Sequence, residues 1–171
     1  MADAAPGRAR ATAALALCGP LAALMFLAAD LAGAAATPGY SMTGQAISEL
    51  MERDAPAKHI VDPLLVGYHG LVVPFAVALH RGLPAGPATG PLLVGLAGVA
   101  GVILTLFFPC DPGCAPFVSL RGTLHIFIAV PMGFAILAGL ALIGLGLKRR
   151  DRMARFAIYT TVTAITGLFL A

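Results

Sequence analysis

Two carboxylates and an imidazole, Glu49, Asp111 and His125, are the side chains of this sequence best suited to chemistry, with the Ser48 hydroxyl beside the first. Such a set can exchange protons near neutral pH, hold a metal ion or grip a polar lipid headgroup. The plainer alternative is a polar network that closes a helix bundle and satisfies backbone groups. Each of the four lies in, or just after, a polar gap between apolar blocks, on one predicted face of a membrane. His125 is expected about four residues into its helix, roughly 6 Å below the start. His69 follows Asp62 by seven residues, nearly on one helix face and ~9–10 Å below the helix start. It either hydrogen-bonds a carbonyl or a neighbouring helix, or extends the mouth site inward. Ionisable groups at such depth are costly, about 2.5–3.5 kcal/mol for an Asp at a helix centre. They therefore call for a partner or a task.

A metal site would draw on His125, Asp111 and Glu49, but no HExxH or similar compact spacing is present, so its ligands would come from separate helices. The sequence names no cofactor. Cys110 and Cys114 share a gap dense in turn residues, and in an oxidising space their first expectation is a structural disulfide across the Asp-Pro-Gly turn. A thiol oxidoreductase would normally carry Cys-x-x-Cys, which is absent here. Cys18, inside an apolar block, is a packing residue.

The elements that must place these groups are apolar. The chain has 171 residues, 59% of them hydrophobic and 11% charged, and a mean hydropathy of +0.91. Soluble domains carry about 25% charged residues. At ~20 apolar residues per crossing of ~30 Å, the reading is an all-α polytopic transmembrane helix bundle and a single membrane domain. Five spans are predicted, at about 11–33, 63–80, 92–108, 120–147 and 156–171. The last has 16 residues and covers only ~24 Å, so two expectations stand: a partner helix or a second copy beside it, or a chain shorter than its relatives. The first block is longer than a typical signal-peptide core, although Ala34-Ala35-Ala36 offers small residues for cleavage; a retained anchor is preferred.

Charge sets the orientation. Arg8, Arg10, Arg81, Lys148, Arg149, Arg150, Arg152 and Arg155 share one side, whereas Asp30, Glu49, Glu52, Asp54, Asp62 and Asp111 lie on or near the other. Lys and Arg collect on cytoplasmic loops. The expected protein is thus a multi-pass protein of the cell membrane with a cytoplasmic N-terminus, and the net charge of +3 needs no nucleic acid to explain it. With no Trp, interface anchoring falls to Tyr40, Tyr68, Tyr159 and the basic residues.

Within the first outer gap, Ile47, Leu50 and Met51 recur at helical spacing opposite Gln45, Glu49 and Glu52. That pattern predicts a short amphipathic helix on the membrane or over the bundle mouth. Asp62-Pro63 reads as a cap and first helical residue. Asp30 either ends span one at the interface or faces the cavity. Gly95, Ala97, Gly98 and Gly101 give span three a small face for close helix approach, and Pro131 marks a kink in span four.

Three elements in order, Ile47-Ser48-Glu49-Leu50, Phe108-Pro109-Cys110-Asp111-Pro112-Gly113-Cys114 and Gly122-Thr123-Leu124-His125, resemble the membrane family catalogued as domain of unknown function 998. The resemblance runs from about Ala13 to Ala171. It implies a bundle of about six helices without an established activity, with Ser48, Glu49, Asp111 and His125 as the positions to watch. The chain departs from it in showing five spans and in placing Met51 where a Gly is usual. Two functional classes follow. The preferred one is a non-catalytic protein whose outer polar pocket (Ser48, Glu49, Asp111, His125 and His69) binds a lipid headgroup or other amphiphile. The other is a lipid hydrolase or lipid-modifying enzyme.

Overall fold

The computed structural model describes residues 4–83, 88–148 and 153–170. It is helical, with no strand among those residues. Helix α1 (Ala4–Ala16) leads almost directly into α2 (Cys18–Ala36), followed by α3 (Lys58–Gly82), α4 (Thr89–Phe107), α5 (Leu120–Lys148) and α6 (Ala154–Leu170). Four segments are long and apolar enough to cross a membrane: Gly7–Ala36, Lys58–Gly82, Thr89–Phe107 and Leu120–Lys148. The segment expected as a fifth span forms the 17-residue helix α6, which is not among those four; its last expected residue, Ala171, lies outside the described residues. So do Arg149, Arg150 and Arg152 of the basic cluster, and positions 84–87 of the expected inner loop.

Successive helices pack side by side, α2 on α3, α3 on α4, α4 on α5 and α5 on α6, with α1 against α3. Both connections that carry the candidate residues, 37–57 and 108–119, meet at one end, here the loop end. The basic residues Arg81 and Lys148 close α3 and α5 at the other end.

Lipid tails are as apolar as Leu, so helices in a bilayer associate through close packing, which small residues permit. The small face of α4 behaves this way. A Cβ on Gly98 would stand 3.0 Å from the backbone oxygen of His69, and one on Gly101 would overlap the His69 ring. Near the loop end, Ala29 of α2, Leu50, Met51, Ala57, Val61 and Leu65 of α3 and Leu104 of α4 form one buried cluster. A second cluster, Ala76, Val94, Ile143, Leu147 and Ala157, joins α3 to α6 toward the basic end.

The amphipathic segment is a short 3-10 helix, Ile47–Met51, with Leu50 and Met51 buried against Val61, Leu65 and Leu104; of the two expected placements, it takes the one over the bundle mouth. One local expectation changes. Helix α3 begins at Lys58, not at Pro63. Its first turn closes on the Ala57 carbonyl, which accepts from Ile60 and Val61 at 2.9 and 3.0 Å. Lys58 Nζ sits 2.8 Å from Asp62 Oδ2 and donates to the Met51 carbonyl at 2.8 Å. Asp62 is therefore an i,i+4 partner inside the first turns, not the cap. The early start puts His69 about 16 Å along its helix.

Candidate functional site

The loop end is a polar clasp of three parts. In the first, the loop before the Ile47–Met51 turn is shaped by Glu49. Its Oε1 accepts the backbone N–H of Ala46 at 3.1 Å, half of a capping box. Its Oε2 accepts from Gln45 Nε2 at 2.7 Å. Gln45 Oε1 in turn accepts the Ser41 N–H at 2.9 Å, so the carboxylate of Glu49 serves its own loop.

In the second, residues 111–114 form a tight turn. The N–H of Cys114 donates to the Asp111 carbonyl at 2.7 Å. Gly113 has φ +64°, the left-handed region that glycine enters without steric cost. Its N–H donates to Glu52 Oε2 at 2.7 Å, tying the two loops together. A disulfide joins Cys110 to Cys114. Cys110 Sγ lies 3.1 Å from the Ser48 carbonyl oxygen, and the Ser48 hydroxyl donates to Cys114 Sγ across 3.2 Å.

In the third, the start of α5 is fixed. Ser119 is its N-cap, with Oγ accepting the Gly122 N–H at 3.0 Å and its carbonyl accepting the Thr123 N–H at 2.9 Å. Asp111, 6% exposed, accepts the Ser119 hydroxyl at 2.8 Å and the Ser119 N–H at 2.9 Å. A carboxylate at a helix N-terminus is also favoured by the helix dipole. Any Cβ on Gly122 would collide with Asp111 Oδ2.

His125 closes the clasp from within α5. Its side chain is 3% exposed, and its Nδ1 lies 2.7 Å from the Phe108 carbonyl oxygen. A carbonyl only accepts, so Nδ1 carries the proton and Nε2 a lone pair. Phe108 follows the last residue of α4, where carbonyls lack intrahelical partners; an imidazole from the next helix satisfies one of them.

Ser48 and His125 thus converge on the 108–114 segment, whereas the side chain of Asp111, within that segment, turns to Ser119. Glu49 is occupied within the neighbouring loop. His69 lies elsewhere, its ring against Gly101, two helical turns below Phe108, and 4.5 Å from the Tyr68 ring. The tight grouping of ligand-type side chains among the described residues is Cys110, Cys114 and His125, with ligand atoms within 4.8 Å of one another. Sequence reasoning passed over Ser119, although a Ser directly before an apolar helix, with Asp111 in the preceding turn, is a capping signal. It also missed the surroundings of Tyr40, whose hydroxyl donates to the Gln45 carbonyl at 3.4 Å. Burial and the nearby charges of Asp30 and Glu49 push that hydroxyl above its ordinary range. Asp30 lies inside α2, which continues to Ala36, rather than ending its helix.

Curated proteins and solved structures yield no match to the chain. A family model covers most of its length, spanning the clasp and every candidate residue named above. The chain belongs to the family described as "Protein of unknown function (DUF998)", whose model matches residues 20–171.

Proposed function

We propose that this is a non-catalytic membrane protein that engages a phospholipid headgroup at its loop end. The observation that carries the reading is an exposed apolar rim beside a cation. Phe117, Val118 and Leu120 are 76%, 68% and 77% exposed, and Arg121, also exposed, follows them in the first turn of α5. The first two are adjacent in the connecting loop and the third opens the helix, at the same end as the clasp; in this reading that level is where acyl chains meet headgroups. A cation in the first turn of a helix opposes the dipole; a bound phosphate would reverse that penalty and pair with the guanidinium.

In this reading Ser48, Glu49, Asp111 and His125 hold the rim in shape, and His69 fixes α3 on α4 beneath it. Their hydrogen bonds go to backbone groups, hydroxyls, an amide and a disulfide sulfur, which supports a binding role over acid–base turnover. The enzymatic alternative keeps one supporting observation, the clustering of Cys110, Cys114 and His125. We also infer that the loop end faces outward and the N-terminus the cytoplasm, because Arg8, Arg10, Arg81, Lys148 and Arg155 belong to the opposite end. A Ser41→Cys variant should then react with an impermeant maleimide on intact cells.

The chain contains no Trp, so Phe117→Trp installs a single fluorophore in the rim. Its emission should be blue-shifted in vesicles and quenched by lipids brominated high on the acyl chain, more so with anionic headgroups. Water-like emission untouched by brominated lipid would overturn the lipid contact.

A further inference from the structure

Two sulfurs and an imidazole meet where the 112–114 turn crosses the top of α5. Ligand atoms of Cys110, Cys114 and His125 all fall within 4.8 Å of each other, and two further features suit them to a metal ion. His125 is buried and gives its Nδ1–H to the Phe108 carbonyl, leaving Nε2 to donate a lone pair. Metal-binding histidines ordinarily anchor their second N–H in this way. The turn is also held without help from the sulfur–sulfur bond, by Cys114 N–H to the Asp111 carbonyl, Gly113 N–H to Glu52, and Asp111 to Ser119.

We propose that reducing the Cys110–Cys114 bond converts this corner into a two-cysteine, one-histidine site for a thiophilic divalent cation, zinc in the first instance. The protein would then alternate between an oxidised metal-free form and a reduced metal-bound form. This inference does not rest on the lipid contact. An external thiol pair supplies two electrons and two protons and leaves as its disulfide; alternatively a phosphine supplies the two electrons, water supplies both protons and the oxygen, and the phosphine leaves as its oxide. Either way the disulfide opens to two thiols, and zinc binding then releases both thiol protons to solvent. Reoxidation by an external disulfide re-forms the Cys110–Cys114 bond, expels the ion and yields two external thiolates, which take up two protons from solvent to become thiols.

Zinc takes thiolates at about 2.3 Å and imidazole at about 2.0–2.1 Å, so tetrahedral geometry sets the two sulfurs about 3.8 Å apart. Opening the disulfide allows that separation within the same turn. Two thiolates neutralise the ion, so little charge has to be desolvated beside the bilayer. Three protein ligands leave a fourth position for water, and the Ser48 hydroxyl lies 3.2 Å from Cys114 Sγ. Glu49 and Asp111 are not required, in contrast to the ligand set suggested by the sequence.

The test uses full-length protein in detergent, half kept oxidised and half reduced with a phosphine under nitrogen. Each half is titrated with Zn2+ against a chromophoric chelator and with Co2+ as a spectroscopic probe. The reduced form should bind one Zn2+ per chain, about 100-fold or more tighter than the oxidised form. Its Co2+ adduct should show thiolate-to-cobalt charge transfer and strong visible bands of a tetrahedral site. His125→Ala should weaken binding at least about tenfold, and the double variant C110S/C114S should behave under reductant like the oxidised protein. Circular dichroism before and after reduction monitors the helices. Equal affinity in the two redox forms, a Co2+ adduct lacking thiolate bands, or helix loss on reduction would each sink the proposal, and none of these outcomes depends on a variant folding.

Discussion

The Asp111 carboxylate accepts the Ser119 hydroxyl at 2.8 Å, and Ser119 Oγ accepts the Gly122 N–H at 3.0 Å. Asp111 thereby orients the cap of α5 from eight residues upstream, so the most conspicuous acidic residue of the second loop acts on a helix start.

Removing either member should loosen that start. Ser119→Ala is expected to cost about 0.5–2 kcal/mol and Asp111→Ala about 1–3 kcal/mol. The double variant should cost less than the sum, because both changes break the same bonds. Equilibrium unfolding in mixed micelles measures all three; strict additivity would contradict the linkage.

Gly122 and Gly113 should respond differently to alanine. Gly122→Ala forces a methyl group into the Asp111 carboxylate and should displace the cap, lowering stability by more than the cap substitution alone. Gly113→Ala meets nothing within 4 Å and suffers only from its positive φ, about 1–2 kcal/mol. Thermal midpoints of the two variants, compared in one detergent, give the order.

Deeper in the bundle, Gly101→Ala should disrupt the α3–α4 contact because its methyl overlaps the His69 ring. His69→Ala should partly rescue it by clearing the space. A double-mutant cycle that shows no coupling would separate the two residues.

The helices and their polar ends were legible because runs of about 20 apolar residues leave few alternatives. The inward face of the mouth turn also followed from Ile47, Leu50 and Met51. The start of α3 did not, because Asp62-Pro63 carries a strong local capping signal. The helix instead begins at Lys58, whose ammonium meets both the Met51 carbonyl and Asp62; the first of these contacts depends on the fold of the preceding loop. Among the site residues, types and loop placement could be read from sequence, but partners could not. Nothing in the spacing of Glu49 distinguishes a ligand from a residue that bonds Gln45 and Ala46. Nor could it be foreseen that Cys110, Cys114 and His125 converge while His69 packs against Gly101, since that depends on how α4 and α5 sit together.

Tyr40 gives a pH signature. Its folded-state pKa lies above the ordinary 10.0, so the folded protein holds the phenol proton more tightly than the unfolded chain does. The resulting stability is fully present below about pH 10 and is lost as pH rises through the folded value. Tyr40→Phe should flatten the alkaline limb of a stability profile taken between pH 8 and 11, while a parallel limb in both proteins would contradict the assignment.

The central claim is that the rim at Phe117, Val118, Leu120 and Arg121 holds a phospholipid, and native mass spectrometry of the delipidated protein after exposure to phosphatidylglycerol tests it most directly. Wild type and the control Phe134→Ala, which alters another exposed position (59%) midway along α5, should each retain one lipid per chain. A variant combining Phe117→Ser, Val118→Ser and Arg121→Gln should retain none while keeping its helical content. Equal lipid retention by that triple variant and the wild type would contradict the account.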